Sequence, residues 1–204
     1  MKTHITMVID RSGSMSAIRN DAEGGINHLI KEQQKQQGDC TLSLYQFSNS
    51  VERYCNFSPI KEVGPYKLIP SGSTALFDAI GVAINETGSR LNSMDQKDRP
   101  ELVIFCIVTD GEENSSKEFS KQQIKEMVSH QTSKYSWQFT FLCADQKTFL
   151  EGKDIGFACA VDVDTKKYKQ VYTNTSAKFN RMRSAKNILQ VNNTYTQDEI
   201  NEMK

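Results

Sequence analysis

Two aspartates and a cluster of hydroxyls, held in three short segments, are the residues of this chain that could do chemistry. Asp10-Arg11-Ser12-Gly13-Ser14 places one carboxylate beside two serines, Ser71-Gly72-Ser73-Thr74 adds further hydroxyls, and Thr109-Asp110-Gly111-Glu112 adds a second aspartate. Oxygen-only donors of this kind suit a hard divalent cation. Magnesium takes six oxygens in near-octahedral geometry and keeps some water, and manganese accepts similar ligands. Zinc more often recruits His or Cys. Neither type occurs in these segments, and His4, His28 and His130 are far apart along the chain. Taken singly, each segment also has a plain reading: Ser12 to Ser16 as a turn with a helix cap, Thr74 as an N-cap, Asp110-Gly111 as a turn.

Such residues act together only if secondary structure brings them to one place. The β-type run Thr3–Ile9 ends at Asp10. Ile18, Ala22, Ile26, Leu29 and Ile30 then recur at helical spacing, which predicts a helix over 16–37 with Gly38 as its stop. Thr41–Phe47 and Val51–Phe57 read as strands of a hairpin around Ser48-Asn49-Ser50. Three of the four prolines fall in 58–73, a loop. Leu76, Ala79, Ile80, Ala83 and Ile84 predict a helix over 74–91. Leu102–Val108 is unbroken apolar sequence, as a strand buried on both faces of a parallel sheet requires. Helices over 120–133, 146–152 and 175–186 and strands over 137–143 and 158–163 complete the alternation. Residues 187–204 are polar, and Thr196 with Glu199 spells a capping box for one short terminal helix.

This alternation predicts an α/β fold: a doubly wound, mostly parallel central sheet of about six strands, one antiparallel edge strand from the hairpin, and helices on both faces. One domain over 1–186 and a polar tail over 187–204 are expected. Ligands of such sheets sit at the carboxyl ends of the strands, at a topological switch point. All three segments fall at strand ends or helix starts.

In this order and placement, Asp10-x-Ser12-x-Ser14, Thr74 ahead of a helix, and Thr109-Asp110-Gly111 resemble the metal-ion-dependent adhesion site (MIDAS) of von Willebrand factor type A domains. The resemblance runs from about residue 3 to about residue 185 and implies their Rossmann-like fold. It implies Mg2+ or Mn2+ bound directly by Ser12 and Ser14. Thr74 would bind directly when a ligand is engaged and through water otherwise. Asp10 and Asp110 would act mostly through bound waters and by orienting the serines. It also implies a partner protein whose Glu or Asp carboxylate fills an open metal position, an anion that the starts of the first two helices would favour. Many intracellular members work beside AAA+ ATPases or in multi-protein assemblies. Such a partner would here be a separate chain.

Composition narrows the alternatives. Hydrophobic residues make up 37% and charged residues 25%, with 25 basic and 25 acidic side chains. That is a soluble globular balance without the basic footprint of a nucleic-acid binder. No apolar run approaches the roughly 20 residues that span a bilayer, and the N-terminal apolar stretch is too short for a signal peptide. A cytoplasmic location is expected. Cys40, Cys55, Cys106, Cys143 and Cys159 are odd in number and form no Cys-x-x-Cys pair, so reduced thiols are expected. The competing function is a metal-dependent, phosphatase-like hydrolase with Asp10 as nucleophile. Such sites carry a second acid two positions on, where this chain has Ser12. No Ser-His-Asp set and no phosphate-cradling Gly-x-x-x-x-Gly-Lys loop is evident. A binding module rather than an enzyme is therefore expected. Arg11 reads as a solvated side chain, Asp78 as a first-turn helix charge, and Glu112 and Glu113 as rim residues.

Overall fold

A strand without a polar face belongs inside a sheet, and β4 (Leu102–Thr109) is buried along its whole length. The computed structural model describes residues 1–143, 146–157, 159–162 and 167–203. In it β4 lies parallel to β1 (Thr3–Asp10), with Thr3 opposite Leu102 and Ile9 opposite Val108. On the far side of β1 come β2 (Cys40–Phe47), parallel, and β3 (Val51–Pro59), the antiparallel edge of the hairpin. Beyond β4 lie β5 (Gln138–Cys143) and β6 (Cys159–Asp162), both parallel. The order is β3-β2-β1-β4-β5-β6, the expected six-stranded, mostly parallel sheet. Of the strand expected over 158–163, Ala158 and Val163 lie outside the described residues.

The two-residue period of each strand divides its side chains between two cores. Ile5, Met7 and Ile9 of β1 and Ile104, Cys106 and Val108 of β4 pack with α1 (Arg19–Lys35) and α5 (Tyr168–Ser184). Val8, Phe105 and Ile107 pack with α2 (Leu76–Ser93) and α3 (Lys121–Tyr135). Ile155 and Phe157, just past α4 (Gln146–Asp154), join that second core. Burying a large aliphatic or aromatic side chain contributes about 1.5–3 kcal/mol. β1 and β4 are buried on both faces, and the site is built on their ends.

Two helices depart most from their expected starts. Residues Gly13–Ile18 form a 3-10 turn, so the first α-helix begins only at Arg19. The helix expected from Thr175 begins at Tyr168 instead. Its early turns carry Tyr168, Val171 and Tyr172, aromatic and β-branched residues of modest helix propensity, and their burial outweighs that preference. Tyr172 packs so closely on α1 that a Cβ on Gly25 would run into its ring.

Residues after α5 return to the core. Tyr195 and Met203 are buried in it, and Arg181 pairs with Glu199 at 2.6 Å. The final helix α6 (Gln197–Met203) starts at a capping box: Glu199 N–H donates to Thr196 Oγ1 at 3.2 Å, and Thr196 N–H donates to the Glu199 carboxylate at 2.8 Å. Among the described residues no helix is long and apolar enough to cross a membrane. Cys40 and Cys55 are free thiols, and the side chain of Cys159 lies outside the described residues.

Candidate metal centre

Between β1 and β4 the winding of the sheet reverses, since the chain leaves β1 for β2 and enters β4 from the other side. Asp10 is the last residue of β1 and Asp110 directly follows β4, so both carboxylates reach one rim at this switch point. Asp10 is fully buried. Its Oδ1 accepts from Ser12 N–H at 2.7 Å and its Oδ2 accepts from the Thr109 hydroxyl at 2.6 Å. Burial pushes its pKa up to about 6. The bonds from Thr109 and Ser12 oppose that rise, and the nearby Asp110 adds to it. A cation at the site would stabilise the charge that burial disfavours.

The hydroxyls gather around this pair. Ser12 Oγ lies 3.0 Å from Ser14 Oγ, and the Ser14 hydroxyl donates to Asp110 Oδ1 at 2.8 Å. A Cβ built on Gly111 would sit 3.3 Å from Ser14 Oγ and 3.5 Å from Thr74 Oγ1. These two hydroxyls therefore converge on the position where a side chain at 111 would begin. The capping readings do not hold. Ser12 stands at the N-cap of the 13–18 turn without a side-chain cap bond, and the N-cap of α2 is Ala75, not Thr74. The structure thus brings Asp10, Ser12, Ser14, Thr74 and Asp110 together as two carboxylates and three hydroxyls. Among the described residues no group of three or more His, Cys, Asp or Glu gathers. This donor set fits a hard cation better than zinc.

Backbone bonds lock the segments to one another. Gly13 N–H donates to Gly72 O at 2.9 Å, and Ser71 N–H donates to Arg11 O at 2.7 Å. Arg11 is not a solvated side chain: it donates to Ser71 Oγ at 2.8 Å and to Glu52 at 2.6 Å. Ser73 N–H donates to Asn49 Oδ1 at 2.6 Å across a turn in which Gly72 has φ +78, a left-handed conformation that favours glycine.

The stretch after Asp110 departs most from expectation. Glu112 is an exposed rim residue, 3.1 Å from Lys147. Glu113 is instead a backbone anchor, accepting from the amides of Phe77 at 3.0 Å, Ser115 at 2.8 Å and Ser116 at 2.7 Å. Asp78 accepts from the amides of Lys117, Glu118 and Phe119, which ties this loop to α2. Thr74 N–H donates to Asn114 Oδ1, and Asp78 N–H to Ser116 Oγ. These amides at the start of α2 are already engaged. The expectation that this helix start would welcome an anion is corrected: the dipole remains, but its donors face the protein's own loop. Sequence reading missed Asn114 and Glu113 as site-building residues. Their only signal was a run of polar residues after the central strand.

No protein-family model and no curated protein matches the sequence. Solved structures match its fold. Proximal thread matrix protein 1 from the mussel byssus has a TM-score of 0.58 at 13% identity, over 84% of this chain and 46% of that one. Another structure of it, with a zinc-occupied MIDAS motif, scores 0.51 at 15% identity, over 86% and 46%. A von Willebrand factor type A protein from Catenulispora acidiphila scores 0.56 at 14% identity, over 88% and 43%. The ArnB paralog VWA2 from Sulfolobus acidocaldarius scores 0.54 at 18% identity, over 87% and 45%. This chain spans less than half the length of each of these proteins. With its sheet order and the placement of its three segments, the chain has the fold of von Willebrand factor type A domains.

Proposed function

We propose that this chain is a protein-binding module that holds one Mg2+ or Mn2+ at Asp10, Ser12, Ser14, Thr74 and Asp110 and engages a Glu or Asp carboxylate of a partner there. The observation that carries this reading is the state of the hydroxyls. Ser12 and Thr74 stand at helix starts without capping them, and the Thr74 and Ser14 hydroxyls converge on Gly111 beside Asp110. A divalent ion surrounded mainly by neutral hydroxyls would supply a strong electrophile for an incoming carboxylate oxygen. The chain's own part is to hold the donors in place. Asp10 fixes the Ser12 amide, Asp110 fixes the Ser14 hydroxyl, and the 112–116 loop occupies amides at the start of α2. With those amides taken, the partner's acid depends on the ion.

The zinc in the mussel protein's MIDAS motif supports a divalent ion at this place in the fold. The all-oxygen donors of this chain favour magnesium or manganese over zinc. The partner is a separate protein, such as an AAA+ ATPase or a member of a multi-protein assembly. The balanced charge offers little to nucleic acid, and the free thiols of Cys40 and Cys55 suit a cytoplasmic protein. The reading is not of an enzyme. The Asp10 carboxylate is buried with both oxygens hydrogen-bonded, which favours binding over nucleophilic attack.

A pull-down from extract of the source organism, run beside a generic phosphatase assay, tests this reading. A partner captured in magnesium should be lost in chelator and with Asp10→Ala, and no turnover should be seen. A partner that stays bound in chelator, or metal-dependent turnover lost in Asp10→Asn, overturns it.

A further inference from the structure

Thr74 lies in a loop, yet its backbone is held as firmly as a strand residue. Asn114 Oδ1 accepts from Thr74 N–H at 2.9 Å, and Asn114 N–H donates to Thr74 O at 3.0 Å. One side chain and one backbone amide thereby reproduce the paired bonds of an antiparallel ladder. Both peptide groups flanking the Thr74 side chain are fixed, and so is the direction of its Cα–Cβ bond. The other bonds that steady this loop end on its neighbours: Ser73 N–H on Asn49, and Ala75 N–H on Ser48 O at 2.8 Å. Asn114 is itself held in place, because the preceding Glu113 is bonded to Phe77, Ser115 and Ser116. The loop that carries Asp110 and the loop that carries Thr74 are in this way one unit.

We propose that Asn114 is a positioning residue that aims the Thr74 hydroxyl at the metal site and, through Thr74 alone, tunes how tightly the site holds an ion. The inference rests on the metal-binding reading above. Asn114 is exposed and adds nothing to either hydrophobic core, so its replacement should spare both cores. Its side chain bonds the backbone of Thr74, and its effect on the ion is expected to pass there. Two residues acting through one contact are not additive, whereas a general loosening of the loop would add to the loss of Thr74.

The test is a double-mutant cycle read by calorimetric titration with manganese: wild type, Asn114→Ala, Thr74→Val and the double variant, with Asn114→Asp as the variant that keeps the acceptor oxygen. Asn114→Ala should lower manganese affinity about tenfold, the usual size for a group that orients a ligand. In the Thr74→Val background the same change should cost no more than about twofold. Asn114→Asp should restore at least the wild-type affinity. In metal-free protein, the Thr74 amide should exchange with deuterium faster in Asn114→Ala than in wild type. An undiminished loss in the Thr74→Val background, or unchanged affinity in Asn114→Ala, overturns this inference and leaves the metal reading standing. A wild-type protein that binds no manganese overturns both.

Discussion

The Ser14 hydroxyl donates to the Asp110 carboxylate at 2.8 Å across 96 positions of sequence. That bond joins the loop after β1 to the loop after β4 at the point where the sheet changes its direction of winding. Next to it, the Ser14 and Thr74 hydroxyls both face the gap left by the missing side chain of Gly111.

Gly111→Ala would place a methyl group in that space, 3.3 Å from Ser14 Oγ, where the neighbour must give way by a few tenths of an ångström. Gly111 is not among the positive-φ glycines, so alanine is permitted by the backbone. The expected result is a loss of manganese affinity of at least about tenfold with little change in metal-free melting temperature. Calorimetry and a thermal melt check the two halves separately. A large fall in melting temperature would mean that Gly111 serves the fold rather than the site.

His4 gives the stability of the domain a pH dependence. Its ring is fully buried, stacked on Phe57 at 3.8 Å between centroids, with Nδ1 at 2.8 Å from the Thr41 hydroxyl. Burial lowers its pKa from an ordinary 6.5 to about 3. The fold thus favours the neutral ring, while the unfolded chain takes up a proton below about 6.5. Stability from this group is complete above that pH and is lost as pH falls toward 3. At pH 5 the loss should be about 2 kcal/mol relative to pH 7. Urea unfolding of wild type and His4→Phe at both pH values isolates this effect from other titrating groups. Equal pH dependence in the two proteins would contradict it.

The central strands and the metal-type segments were readable because each leaves a local signature. Leu102–Val108 has no polar residue because both its faces are covered, and Ser12 and Ser14 sit in a turn between a strand and a helix start. The start of α5 was not readable, because Tyr168 and Val171 are helical here through burial rather than propensity. The roles of Asn114, Glu113 and Asp78 were hidden for a different reason. A carboxylate or amide in a polar loop or a first helical turn looks solvated until the fold places backbone amides about 40 residues away against it, as with Thr74 and Asn114 or Phe119 and Asp78.

The residues after α5 pack against the domain. Tyr195 hydrogen-bonds Thr175 at 2.7 Å, and Tyr195 and Met203 are both buried against the core. Ending the chain at residue 186 should cost at least about 3 kcal/mol, the burial of two large side chains. The midpoint of urea unfolding reads this directly. An unchanged midpoint would place the domain boundary at 186.

Manganese titration of wild type and Asp10→Ala by calorimetry tests the central claim most directly. Asp10 supplies a buried charge and holds the Ser12 amide at 2.7 Å, so its loss removes both attraction and order from the site. Wild type should bind one Mn2+ per chain, and Asp10→Ala should bind none detectably. No binding by wild type, or equal affinity in the two proteins, would contradict the account.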